Sequence, residues 1–117
     1  MGDTVNTASR VEQLSKDLGS YLLVTGELVA GLDGFLLRDL GSFKLRGRRT
    51  VTRIFELIAR MDNAATHQRK LCADFAEALA AYEGQRAEDA RTRFQSVRQQ
   101  FPRDGPSEYY LRLIETT

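Results

Sequence analysis

The sequence predicts an α+β chain: a helix, a short strand and a pair of hairpin strands, followed by an all-α helical-hairpin tail. Three observations predict it. Up to about residue 60 the chain alternates between helix-period and strand-period patterning. The composition then shifts to Ala, Arg, Glu and Gln. From there the apolar residues keep a helical period. At 117 residues the chain has the length of one ordinary domain or of two small pieces of domains. It divides by patterning into residues 1–58, a linker over 59–70 and a helical segment over 71–117.

Residues 4–18 read as the first helix. Asp3 or Thr4 can cap it, since either side chain accepts from the backbone N–H groups of the first turn. Val5, Ala8, Val11, Leu14 and Leu18 form an apolar stripe at spacings of three and four. Asn6, Arg10, Gln13 and Asp17 form a polar stripe on another face, and Gly19 suits the position after the last turn. Tyr21–Thr25 is an apolar, aromatic and β-branched run of strand length. Glu27–Leu32 predicts one or two helical turns, closed by Gly31 and the Asp33-Gly34 turn signal. Phe35–Leu40 and Ser42–Arg46 read as two strands separated by Gly41, with a tight turn at Gly47-Arg48-Arg49. Val51–Ile58 alternates: Val51, Arg53, Phe55 and Leu57 on one face, Thr52, Ile54, Glu56 and Ile58 on the other. Apolar residues on both faces predict a strand covered on two sides. In the tail, Leu71, Phe75, Ala78, Leu79 and Tyr82 mark a helix stopped by Gly84. Ala87, Ala90, Phe94, Val97 and Phe101 mark a second, stopped by Pro102. Residues 102–106 read as a turn and Ser107 as the cap of a third helix, with Tyr110, Leu111 and Ile114 inward.

Composition removes several classes of function. A net charge of +1 argues against a general nucleic-acid or membrane-surface binder. A hydrophobic content of 42% is too high for a disordered chain. Cys72 alone cannot form an internal disulfide, and Cys72 with His67 as the lone His cannot make a Cys/His zinc site. No apolar run reaches membrane-spanning length, and a polar start from Asp3 onward does not look like a signal peptide. The expected location is the cytoplasm, with any membrane anchor of a parent protein lying upstream.

Two groups of residues could carry chemistry. Asn6 and Arg10 stand one helical turn apart, about 40° around the axis. Together they could address one anionic ligand, the guanidinium on phosphate oxygens and the amide on a hydroxyl or ring oxygen. Taken alone, such a pair is more often solvated helix surface. Lys44, Arg46, Arg48, Arg49 and Arg53 form a cationic hairpin without an acid among them. Such a hairpin suits a phosphate, but taken alone it is more often an edge strand guarded against aggregation. A nucleic-acid role for it is weakest, because Phe43 has no aromatic companion there to build a stacking platform.

The run from Gly2 to Glu12 (GDTVNTASRVE) resembles the signature of the class III nucleotide cyclase catalytic domain. That signature reads G-x-x-V-N-x-A-[SA]-R, then an apolar residue and an acid. The resemblance continues in order through Leu23-Val24-Thr25, Phe35–Gly41 (F-x-x-R-x-L-G) and the hairpin Phe43–Phe55. It implies that residues 1–58 are the C-terminal part of a ferredoxin-like cyclase domain. It implies attack of a ribose 3′-oxygen on the α-phosphate with pyrophosphate leaving, Asn6 orienting the ribose and Arg10 stabilising the charge on the phosphate. It places Arg46 on the triphosphate, where the family more often has Lys. ATP is favoured over GTP, in a head-to-tail homodimer.

The family's metal-binding Asp residues and purine-reading residues belong upstream of the matching segment. Mg or Mn is therefore expected in the complete enzyme with its ligands outside this chain. The isolated chain is expected to be a truncated, inactive piece. Residues 71–106 resemble a tetratricopeptide-like helix pair: Phe75, Ala78, Tyr82, Gly84, Ala87, Ala90, Phe94 and Pro102 fall near that repeat's positions. One repeat cannot bury a continuous core, so the tail must pack on itself, on the cyclase segment or on a protein partner. The alternative function is an inactive cyclase remnant that uses the tail as an interaction module.

Overall fold

The computed structural model describes residues 22–45 and 49–116, with Leu14, Lys16 and Leu18. The fold is α+β. Strands β1 (Leu23–Thr25), β2 (Phe35–Phe43) and β3 (Thr52–Arg60) form an antiparallel sheet in the order β1-β3-β2. A 3-10 helix over Gly26–Gly31 follows β1. Three α-helices follow the sheet: α1 (Thr66–Glu83), α2 (Ala87–Gln100) and α3 (Gly105–Glu115). Of the expected 4–18 helix, Leu14, Lys16 and Leu18 are described and all are helical; Leu18 is fully buried in the core. The turn residues Gly47 and Arg48 lie outside the described residues.

The two strands expected on either side of Gly41 are one strand. The ladder pairs Asp39 with Phe55 and Gly41 with Ile54, which leaves Leu40 as the extra residue of a β-bulge. Gly41 sits at φ 107°, a backbone region that only glycine enters without strain. The bulge also changes which side chains share a face. Arg38 precedes it, Leu40 lies in it and Phe43 follows it, yet all three point at the helices. The glycine that looked like a strand break instead lets one nine-residue strand keep its buried face across an irregularity.

Residues 59–70, expected as a linker, are mostly regular structure. Ala59 and Arg60 extend β3, Met61–Asn63 makes a 3-10 turn, and α1 begins at Thr66. The pattern is weak there because β3 gains length from pairing with Phe35 and Leu36, not from its own sequence. The start of α1 is half capped: Gln68 Oε1 accepts from the Ala65 N–H at 2.8 Å, and alanine has no oxygen to return the bond. At the end of α1 the left-handed residue is Gln85 (φ 63°), not Gly84. The Arg86 and Gln85 N–H groups donate back to Ala81 and Tyr82. Ser107, expected as the cap of α3, lies inside the helix. Asp104 is the cap, accepting from the Ser107 N–H at 3.2 Å and its hydroxyl at 2.6 Å.

The tail packs on the sheet. Leu18, Leu40, Phe43 and Ile54 share one buried cluster with Phe75, Ala78, Leu79, Phe94, Tyr110, Leu111 and Ile114. Tyr110 sits at its centre. Its ring stacks on Phe94 at 5.1 Å, meets Tyr82 edge-on at 5.0 Å and Phe75 at 6.0 Å, and lies 6.5 Å from Phe43. Such ring pairs add stability beyond the area they bury. The hydroxyl donates to the Leu40 carbonyl at 2.5 Å, so the bulge has a partner from the helices.

A side chain at position 41 would strain the backbone and collide with the Tyr110 hydroxyl. Gly41→Ala is expected to cost about 2–4 kcal/mol in urea denaturation. Adding Tyr110→Phe should recover part of that loss, since it removes the colliding oxygen. A cost below about 0.5 kcal/mol would contradict the assignment of strain to this position.

Candidate functional site

The sequence-predicted site residues Asn6, Arg10 and Arg46 all lie outside the described residues. The described structure does hold the strands that flank Arg46. The pair Phe43–Thr52 closes the ladder, and Lys44 and Arg49 beyond it are exposed. Arg53, the last member of the cationic hairpin, is not available to a ligand. Its Nε and Nη2 donate to the two Asp39 carboxylate oxygens at 2.8 and 2.7 Å, and Nη1 and Nη2 reach Glu83 at 2.7 and 3.2 Å. The hydrogen bonds that Arg53 donates to Asp39 and Glu83, with their charges, outweigh the cost of burial and raise the Arg53 pKa. Asp39 Oδ1 also accepts from the Gly41 N–H at 2.9 Å. The same carboxylate thus holds Arg53 and the bulge.

The most concentrated electrostatics of the described residues lie at Arg38. It is directly opposite Glu56 in the ladder, where cross-strand side chains lie close enough to pair. Its Nε and Nη2 donate to Glu56 Oε1 at 2.9 and 2.6 Å. Its Nη1 donates to Asp104 Oδ2, and Nη2 lies against Asp104 Oδ1, both at 2.9 Å. The guanidinium lies 4.7 Å above the Phe75 ring. With a side chain 2% exposed, Arg38 has almost no water. Burial works to lower its pKa, but the Asp104 hydrogen bond and the charges of Asp104 and Glu56 prevail, and the pKa is raised. One cation faces two carboxylates. The surplus negative charge falls at the N-terminus of α3, whose free N–H groups carry partial positive charge.

This cluster is a fastening, not a catalytic device. An arginine with saturated partners neither gives nor takes a proton at neutral pH. Nor does the cluster suit a divalent ion. Among the described residues no group of three or more His, Cys, Asp or Glu side chains converges. Glu56 and Asp104 approach one another across Arg38, a permanent cation in the place a metal would need. The described residues therefore do not fit the metal pair expected for a nucleotide cyclase. Cys72 is half-buried beside the cluster. Burial pushes its thiol up, against a smaller pull from Arg38, so it is a poor nucleophile. His67 is exposed in the first turn of α1. No helix among the described residues is long and apolar enough to cross a membrane.

Sequence reasoning missed Arg38, Glu56 and Asp104 as a unit. Arg38 stood inside the F-x-x-R-x-L-G segment and Glu56 alternated onto the same face as Ile54, so their pairing was within reach of strand register. Asp104 followed by Gly105-Pro106 also carried a helix-start signal. What no spacing could give is that an N-cap 66 residues away meets Arg38.

Two curated proteins are similar to this chain. Adenylate cyclase 1 of Rhizobium meliloti (strain 1021) is 46% identical over 59 residues, which is 50% of this chain and 9% of that protein. The terminal-differentiation specific adenylate cyclase of Dictyostelium discoideum is 27% identical over 117 aligned residues, 96% of this chain and 6% of that protein. The chain spans less than a tenth of either relative. No family model and no solved structure matches it. The chain is thus related in sequence to adenylate cyclases.

Removing one partner of a buried ion pair leaves the other charge stranded. Arg38→Ala should therefore destabilise the fold by about 3–5 kcal/mol. Lys70→Ala, which breaks the exposed Lys70–Asp74 pair, should cost under about 1 kcal/mol. Urea midpoints of the two variants check this, and equal losses would show that the Arg38 cluster does not fasten the tail.

Proposed function

We propose that this chain is part of an adenylate cyclase catalytic unit that converts ATP to 3′,5′-cyclic AMP and pyrophosphate in intracellular signalling. The observation that carries the proposal is the 46% identity to a named adenylate cyclase over 59 residues. In this reading the chain supplies the groups that act on the ribose and the phosphates, and the metal-binding half of the domain comes from elsewhere in the parent protein. The unit works as a head-to-tail homodimer in the cytoplasm.

The chemistry assigned to this chain is electrostatic. When the ribose 3′-oxygen attacks the α-phosphorus, a P–O bond forms and the bond to the bridging oxygen of pyrophosphate breaks. Asn6 holds the ribose so that the oxygen faces the phosphorus. Arg10 donates to the α-phosphate oxygens as their charge grows. Arg46 holds the triphosphate as a fixed cation. Preorganised donors of this kind act on the transition state more than on the ground state. Mg or Mn supplies charge neutralisation in the complete enzyme. Asp39, Glu56 and Asp104, the carboxylates of the sheet and its helix contacts, are committed to arginines.

The alternative is an inactive remnant whose tail captures a protein partner; in this fold such a partner would have to use the outer surface of the tail. Phe75, Leu79, Phe94 and Tyr110, the inward residues of the tail, are buried with Leu40, Phe43 and Ile54 of the sheet.

Purified 1–117 is expected to make no cyclic AMP from ATP with Mg or Mn, and turnover above background overturns the assignment of the metal site elsewhere. In the complete cyclase, Arg10→Ala should lower kcat by about a hundred- to a thousandfold and leave KM within about twofold. An unchanged kcat removes Arg10 from the mechanism.

A further inference from the structure

The contacts between tail and sheet converge on one part of the sheet. Asp104, the cap of α3, holds Arg38 on β2. Tyr110, in the same helix, donates to Leu40, the unpaired residue of the bulge. Glu83, the last residue of α1, holds Arg53 on β3, which in turn holds Asp39 and donates to Ser42 Oγ at 3.2 Å. The bulge is therefore fixed from two sides. The Tyr110 hydroxyl takes the Leu40 carbonyl on the helix side, and Asp39 takes the Gly41 N–H while bound to Arg53. Beyond the bulge the ladder has only Ser42–Arg53 and Phe43–Thr52 before the strands end. Leu45, just beyond them, is buried.

The tail also holds this two-stranded end, where Phe43 lies 5.9 Å from the Tyr109 ring and 6.5 Å from the Tyr110 ring. A bulge adds a local bend and extra twist, so the angle at which the strands leave the sheet is set at Leu40 and Gly41. Tail residues hold those two positions. We propose that Tyr110, Asp104 and Glu83 are positioning residues for the β2–β3 hairpin, so that the helical tail aims the hairpin cations at the triphosphate. This rests on the reading that Arg46 contacts the triphosphate. It makes the tail a working part of the nucleotide site, acting through Arg38, Arg53 and the bulge without touching the substrate.

Tyr110→Phe removes the hydroxyl and keeps the ring. In the complete cyclase it should raise KM for Mn·ATP about three- to tenfold, the worth of one hydrogen bond, with kcat within twofold. Glu83→Gln, at a partly exposed pair whose loss costs little stability, should shift KM the same way by a smaller factor. Arg46→Ala alone should raise KM, and Tyr110→Phe added to it should raise it no further, since both changes act through one cation. Additive effects, or an unchanged KM in both tail variants while Arg46→Ala raises it, overturn the inference and leave the cyclase reading standing. If Arg46→Ala leaves KM unchanged, the assignment of Arg46 fails. Hydrogen exchange then still decides the structural half. Amides of Gly41–Phe43 and Thr52–Ile54 should exchange several-fold faster in Tyr110→Phe, and unchanged exchange overturns the positioning role outright.

Discussion

A guanidinium cannot shed its charge when water is taken away, so a buried arginine dictates where its carboxylates must be. Arg38 is in that position. Glu56 satisfies it from the neighbouring strand, which fixes the register of β2 against β3. Asp104 satisfies it from the far end of the sequence, which fixes where α3 begins on the sheet. Because Asp104 is also the cap of α3, helix start and charge pairing share one side chain. Neither can shift without the other. Phe75 of α1 covers the guanidinium and closes the remaining access of water. A single buried cation thus ties two strands and two helices into one arrangement.

The aromatic centre at Tyr110 completes what the charge begins. Apolar burial would allow the helices to slide on the sheet, because it is not directional. The Tyr110 hydroxyl removes that freedom, since it reaches a carbonyl that the β-bulge takes out of the ladder. Glycine at position 41 is the counterpart on the sheet. It permits the backbone angle and leaves room for the hydroxyl. Packing, a backbone irregularity and one directional bond are mutually dependent here.

In the proposed function this arrangement acts through the hairpin. The cations of residues 44–49 are useful to a nucleotide only if their strands are held, and a charge of fixed direction stabilises a phosphate better than a mobile one. Arg53 illustrates the division of labour. It belongs by sequence to the cationic cluster, but Asp39 and Glu83 occupy it. It supports the hairpin, and in the proposed function the ligand falls to other cations of the cluster. The tail, which the sequence set apart as a separate segment, supplies part of that support.

The sequence by itself determined the classes of element and their order, because hydrophobic period and helix-stop residues are local properties. It determined the helical hairpin of the tail, the alternation of β3 and the inward residues Tyr110, Leu111 and Ile114. It also carried the cyclase resemblance at Asn6 and Arg10. It erred where pairing decides structure: Gly41 looked like a break and is a bulge, residues 59–70 looked like a linker and are largely strand and helix, and Ser107 looked like the cap that Asp104 provides. Only the tertiary structure decided that Arg38, Glu56 and Asp104 meet and that the tail lies on the sheet. Those contacts join residues 18 to 70 positions apart, and their energy exists only once burial has removed the water that would otherwise satisfy each group alone.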